Sequence, residues 1–91
     1  MTLEANRPAQ QAAERAIEAL GQGDAVTARS AVDIAVEKDQ SGGFAALADA
    51  VHLAATELDE EGQLSGPTWD FLADAVGPGP LQSLVESLRT S

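Results

Sequence analysis

The chain of 91 residues contains no cysteine and has three aromatic residues, Phe44, Trp69 and Phe71. Without cysteine it has no disulfide framework, no thiolate nucleophile and no thiol metal ligand. Long apolar runs are also missing: no segment approaches the ~18 apolar residues that a membrane span needs. The first eight residues lack the basic segment and apolar core of a signal peptide. We therefore expect a cytoplasmic protein.

Basic residues are scarce. The chain has five Lys and Arg against 15 Asp and Glu, a net charge of −10, and nine acids but no Lys or Arg between Asp39 and Glu86. Such a surface repels phosphate backbones and anionic lipid, which argues against nucleic acid and membranes as partners. It suits either plain solubility or contact with a basic protein partner. The dominance of Arg over Lys, together with the many alanines, is typical of a GC-rich bacterial genome.

Residue patterns that carry catalysis are also missing. The sequence has no Gly-x-Ser-x-Gly elbow and no phosphate-binding Gly-x-x-x-x-Gly-Lys loop. His52, the single histidine, has Asp49 three residues before it, but a metal site needs further ligands that no spacing supplies. Asp70 and Asp74 lie one helical turn apart on a face expected to be exposed. We expect neither an enzyme nor a bound cofactor.

What the chain does have is alanine, 18 residues of it, which is the strongest helix former. Apolar residues recur at helical spacing in five segments separated by Gly- and Pro-rich breaks. The pattern predicts an all-α fold, a small bundle of about five short antiparallel helices, with residues 1–7 as a flexible N-terminal tail and residues 8–91 as a single helical domain. We expect the first helix to begin near Pro8 and the third to cover residues 44–59. Asp24 and either Ser65 or Gly66 are the expected N-caps, and the breaks are predicted at residues 21–23, 41–43, 62 and 77–79.

The first two helices carry small residues and a Gly-Asp turn at characteristic places. The matching positions are Ala16, Gly23, Asp24, Ala28, Val32, Ala35 and Asp39. With these, residues 9–40 resemble a single tetratricopeptide-repeat hairpin. Ala12 and Ala19 depart from the pattern by replacing the usual aromatics, and Gln40 stands where the closing proline would be. The resemblance implies a protein-interaction scaffold without chemistry of its own, in which other helices or a second copy must cover the lone repeat.

The acidic segment from Glu57 to Ser65 resembles the calcium loop of an EF-hand. Its oxygen ligands would come from Glu57, Asp59, Glu61 and Ser65, with Gly62 at the sharp bend. Thr68 stands where the closing bidentate Glu belongs, and this departure weakens the resemblance. The alternative is a helix that ends in solvated acids, followed by a turn and a capped helix. A degenerate calcium or metal-binding module is accordingly our second functional hypothesis.

Three large apolar residues, Ile34, Leu53 and Phe71, lie off the main apolar stripe of their helices. Either neighbouring helices bury them from a second side, with Phe71 wedged under the last helix, or they form an interface with another chain. The leading hypothesis is a non-catalytic, acidic, helical protein–protein interaction module that uses these three residues. Its partner would be a basic protein or, most simply, a second copy in a homodimer.

Overall fold

The computed structural model describes residues 2–39, 44–77 and 79–90 and, within these ranges, the side chains of residues 8–39, 44–77, 79 and 81–89. Within these ranges the chain forms helices and no strand. The helices are α1 (Thr2–Gly21), α2 (Ala25–Lys38), α3 (Ala45–Glu61), α4 (Gly66–Val76) and α5 (Pro80–Thr90). The predicted all-α bundle of five helices is confirmed. No described helix combines the length and the apolar character needed to cross a lipid bilayer.

Helix α1 begins at Thr2, so the predicted start near Pro8 is wrong by six residues. The helix runs through residues 2–7, which the sequence pattern assigned to a tail, and contains Pro8 in its interior. Leu3, Glu4 and Ala5 are good helix formers, and a proline this close to a helix end removes a single backbone hydrogen bond. Helix α3 also extends two residues beyond its predicted end at residue 59. The break predicted at residues 41–43 and the position of Gln40 lie outside the described residues.

Two turns follow the chemistry that their residues dictate. Asp24 is the N-cap of α2, where its Oδ1 accepts a hydrogen bond from the Thr27 backbone N–H at 3.1 Å. Hydrogen bonding from the Thr27 side chain, followed by that from its backbone N–H, holds the pKa of Asp24 below its ordinary value. Gly62 ends α3 in the left-handed region at φ 81°, which glycine adopts without steric cost. Both positions were predicted, and they fix where α2 begins and α3 ends.

Helices α1 and α2 form a hairpin that has the most extensive contact of any helix pair. Its buried residues are mostly alanines, namely Ala9, Ala13 and Ala16 on α1, and Ala28, Ala31 and Ala35 on α2. Small side chains allow two helix axes to approach closely, and the close approach brings many backbone atoms into van der Waals contact. Van der Waals contact between the two closely spaced helices therefore stabilises the hairpin more than large apolar side chains do.

Each later helix packs on the one before it, and α5 returns to contact α1. The largest fully buried side chains come from all five helices: Ile17, Leu20, Val32, Leu47, Val51, Leu72 and Val85. Trp69 is partly buried against this core. Where α5 meets the end of α1, a Cβ on Gly21 would lie 2.8 Å from Leu88 Cδ2, so Gly21 permits this contact. Helix α3 thus packs on both helices of the hairpin and α5 packs on α1, whereas α4 packs on α3 and α5.

The close contact in the hairpin leads to a stability prediction. We expect Ala16→Leu to lower the free energy of unfolding by about 1–3 kcal/mol, because Ala16 is fully buried against α2 and has no space for three more carbons. Ala46→Leu is the matched control, since Ala46 is exposed on α3 and the change there should stay within about 0.5 kcal/mol. Urea denaturation followed by circular dichroism measures both. Equal stabilities for the two variants would contradict the close-contact account.

Candidate functional site

Large apolar side chains are exposed on several helices. Val26, Ile34, Val36, Leu53 and Phe71 are 72, 45, 37, 55 and 44% exposed, respectively. The alternative in which neighbouring helices bury Ile34, Leu53 and Phe71 is therefore wrong, and Phe71 is not wedged under α5. With few helices in the bundle, each one is covered on a single side, so a residue that points away from the core meets solvent. The three residues are available for contact with another molecule.

Ile34 lies in a groove between α1 and α2, which we call the hairpin groove. Its lining consists of Pro8, Gln11, Ala12 and Arg15 from α1, and Ala31, Ile34 and Lys38 from α2. The floor is apolar, and the groove has a volume of about 240 Å³. Two of the chain's five bases thus line a single apolar groove.

Leu53 lies in a different place, in a depression on α3 that Thr68 of α4 borders. Its other lining residues are Thr56, Glu57, Glu60 and Glu61, so the apolar side chain is surrounded by carboxylates. This depression shares no residue with the hairpin groove. The predicted interface residues Ile34 and Leu53 consequently belong to two surfaces of opposite charge.

Phe71 is exposed on α4 between two exposed acids, Asp70 and Asp74. Asp70 Oδ1 forms an ion pair with Arg89 Nη1 of α5 at 2.7 Å. One of the two acids beside Phe71 is therefore already paired within the chain. Leu53 and Phe71 share the same local character, a large exposed apolar group with carboxylates around it.

The residues of the calcium-loop pattern do not form a loop, because α3 stays helical through Glu61. Residues two apart on a helix point about 200° apart, which sends Asp59 away from Glu57. Asp59 Oδ2 accepts a hydrogen bond from Arg29 Nη2 of α2 at 2.7 Å. Glu57, Glu61 and Ser65 line one small depression at the end of α3. Within the described part of the chain, no three His, Cys, Asp or Glu residues are grouped closely enough to hold a metal ion.

The carboxylate of Glu57 instead fixes the α3–α4 turn. It accepts hydrogen bonds from the Thr68 hydroxyl at 2.7 Å, the Ser65 backbone N–H at 3.0 Å and the Ser65 hydroxyl at 3.1 Å. The bond from Thr68, followed by that from the Ser65 backbone, holds the pKa of Glu57 below its ordinary value. Ser65 is the N-cap of α4, as predicted, but its own side chain makes no capping bond. Glu57 and Ser65 of the calcium-loop pattern are therefore in contact with each other through hydrogen bonds between protein groups.

His52 was paired with Asp49 by spacing along α3, but the structure pairs it with another helix. Its Nε2 lies 2.9 Å from Asp33 Oδ1 of α2, and the side chains of His52 and Asp33 are 43% and 65% exposed. This contact and the Arg29–Asp59 ion pair both join α2 to α3. Sequence reasoning missed Asp33, because no local pattern relates two residues that lie 19 positions apart on different helices.

The hydrogen bonds to Glu57 predict an acid-dependent stability. A carboxylate whose pKa is lowered in the folded state stabilises the fold above the ordinary glutamate pKa of about 4.3, and this contribution disappears as the pH falls through the folded-state value. We expect Glu57→Gln to lower the melting temperature at pH 7, and the difference from the parent protein to shrink below pH 4. Thermal melts from pH 7 to pH 3 measure it.

Glu37→Gln is the control for this series, since Glu37 is exposed on α2 and has no hydrogen bond to another described side chain. It should keep the parent melting temperature at pH 7. A Glu57→Gln protein as stable as the control at pH 7 would contradict the role of Glu57 at the turn.

In comparisons with known proteins, no family model, curated protein or solved structure matches this chain.

Proposed function

We propose that the chain is a non-catalytic protein–protein interaction module whose acidic helical surface binds a partner around exposed apolar side chains. The observation that carries the proposal is the depression around Leu53. A leucine that is 55% exposed lies there among Glu57, Glu60 and Glu61. Burial of the leucine would supply affinity, and the surrounding carboxylates would select a partner with basic groups around an apolar strip.

Phe71 supports the same proposal from a neighbouring helix. Aromatic side chains are over-represented among the residues that dominate binding energy, because they remove a large apolar area with few rotatable bonds. The exposed ring of Phe71 lies beside Asp74, a carboxylate with no ion-pair partner among the described residues. Both exposed apolar groups on the acidic half of the chain therefore favour a basic partner and disfavour a phosphate-bearing one.

The α1–α2 hairpin adds a proposal about the architecture. Ala16, Ala28 and Ala35 are fully buried at positions where the tetratricopeptide repeat has small residues, which supports repeat-like packing. We propose that the hairpin acts as a scaffold that presents the acidic helices. A location in the bacterial cytoplasm is part of the same proposal and rests on composition.

The proposal can be tested with a synthetic amphipathic helical peptide of leucine and lysine as the probe. We expect Leu53→Ala and Phe71→Ala each to raise its dissociation constant roughly fivefold to tenfold, about 1 kcal/mol, because each variant removes an apolar contact area. Fluorescence anisotropy of the labelled peptide measures the constant. Far-ultraviolet circular dichroism should stay unchanged, since both side chains are exposed.

Val26→Ala serves as the matched control, because Val26 is 72% exposed at the start of α2, outside the Leu53 depression. It should bind the peptide as the parent protein does. If all three variants bind alike, attraction by net charge alone explains the binding, and the proposed function is wrong.

A further inference from the structure

The α1–α2 hairpin has two faces, and α3 occupies one of them. Arg29 and Asp33 of α2 lie on the occupied face, where they pair with Asp59 and His52 of α3. Residues advance about 100° each around a helix, which places Lys38 about 180° from Arg29. The hairpin groove that contains Lys38 therefore lies on the side of α2 opposite α3.

The hairpin groove has features suited to receiving a helix. Small residues, Ala12 and Ala31, line it, and Ile34 remains 45% exposed within it. Ridges of side chains on one helix pack into such depressions between others. On the opposite face the same hairpin already binds a helix, α3, and uses an Arg–carboxylate pair to do so. The chain itself thus contains an example of how an acidic helix docks on this hairpin.

The charges in the groove indicate what kind of helix would bind there. Arg15 and Lys38 form no ion pair with any residue that the structure describes, although the chain contains 15 acids. Arg29 and Arg89 of the same chain are both paired with carboxylates. Two unpaired cations beside an apolar strip favour an occupant that brings carboxylates on either side of an apolar residue.

Helix α3 displays a surface of this composition. Asp49, Leu53, Thr56 and Glu60 are all exposed and follow one another at spacings of four, three and four, so they form a single line along the helix. We call this line the α3 stripe. Its two acids lie about 16 Å apart at 1.5 Å per residue, with Leu53 between them. Neither Asp49 nor Glu60 forms an ion pair with another described residue.

We propose that the hairpin groove of one copy of the chain receives the α3 stripe of a second copy, with Leu53 against Ile34 and with Arg15 and Lys38 paired to Asp49 and Glu60. The inference rests on the proposed function and names its partner, because the hairpin groove is a surface with basic groups around an apolar strip. The spacing of the two bases in the groove, once their side chains are included, also agrees with the spacing of the two acids on the stripe. Counted from the turn between α1 and α2, Arg15 and Lys38 lie about seven residues or 10 Å apart along the hairpin, and their long side chains extend that span.

The α3 stripe fits this groove better than the surface around Phe71 does. Asp70 beside Phe71 is already paired with Arg89, whereas both acids of the stripe are free of ion pairs among described residues. The contact joins two different surfaces, which makes it heterologous. It therefore extends beyond a dimer unless the rotation between successive copies closes a ring.

Sedimentation velocity over a range of protein concentrations tests the proposal with charge reversals on each surface. We expect the parent protein to self-associate, and Lys38→Glu and Glu60→Lys each to raise the dissociation constant at least tenfold. A mixture of the two variants should form pairs again, because one supplies an intact stripe and the other an intact groove. The double variant carrying both changes has the parent net charge and should regain self-association.

Glu37→Lys, on an exposed position of α2 outside the groove, is the control for a change in net charge alone and should associate at least as well as the parent.

The outcomes separate this inference from the proposed function. A parent protein that stays monomeric while its binding of the leucine–lysine peptide depends on Leu53 would overturn the second-copy proposal and leave the proposed function in place. Self-association that Lys38→Glu leaves intact would overturn the groove as the contact. If the mixture fails to pair although each single variant is folded by circular dichroism, the groove and the stripe are not partners, which also overturns the proposal.

Discussion

The close approach of α1 and α2 is the constraint on which the other parts of this small protein depend. Alanine removes little apolar area from water, so an alanine-rich contact is stable only when the backbones lie near each other. Ala9, Ala13 and Ala16 of α1 are all fully buried. The hairpin is thereby compact and narrow, and it cannot enclose a core by itself.

The larger apolar side chains come from the helices that cover the hairpin. Leu47 and Val51 of α3, Leu72 of α4 and Val85 of α5 are all fully buried. Helix α5 returns to the end of α1, where Gly21 lets Leu88 approach closely. Helix α3 covers one face of the hairpin and α5 covers the end of α1, while α4 joins α3 to α5. The opposite face keeps its groove, because the chain has no further described helix to place there.

Local sequence patterns predicted the structural features that depend on residues close together along the chain. The Asp24 cap, the left-handed Gly62 and the five-helix fold all follow from propensity and spacing within a few residues. The acidic pattern from Glu57 to Ser65 indicated either calcium ligands or a helix that ends in solvated acids. The pattern could not show that the hydroxyls of Ser65 and Thr68 donate hydrogen bonds to Glu57. Nor could it show that α3 stays helical through Glu61.

Local patterns did not predict the features that depend on which helices pack against each other. Ile34, Leu53 and Phe71 are exposed because too few helices surround the ones that carry them. Hydrophobic periodicity within a helix does not predict how many neighbours that helix will have. The pairing of His52 with Asp33 and of Arg29 with Asp59 requires the α2–α3 packing to be known. For the same reason no local pattern links Lys38 with Arg15 in one groove.

The uneven distribution of charge determines which geometry of self-contact is favourable. Residues 1–38 contain six acids and four bases, whereas residues 39–91 contain nine acids and one base. A symmetric contact through the acidic half would set like charges against each other, at a cost that rises as water leaves the interface. A contact between the hairpin groove and the α3 stripe sets the cations of one half against the carboxylates of the other. The same separation of charge therefore favours a heterologous arrangement over a symmetric one.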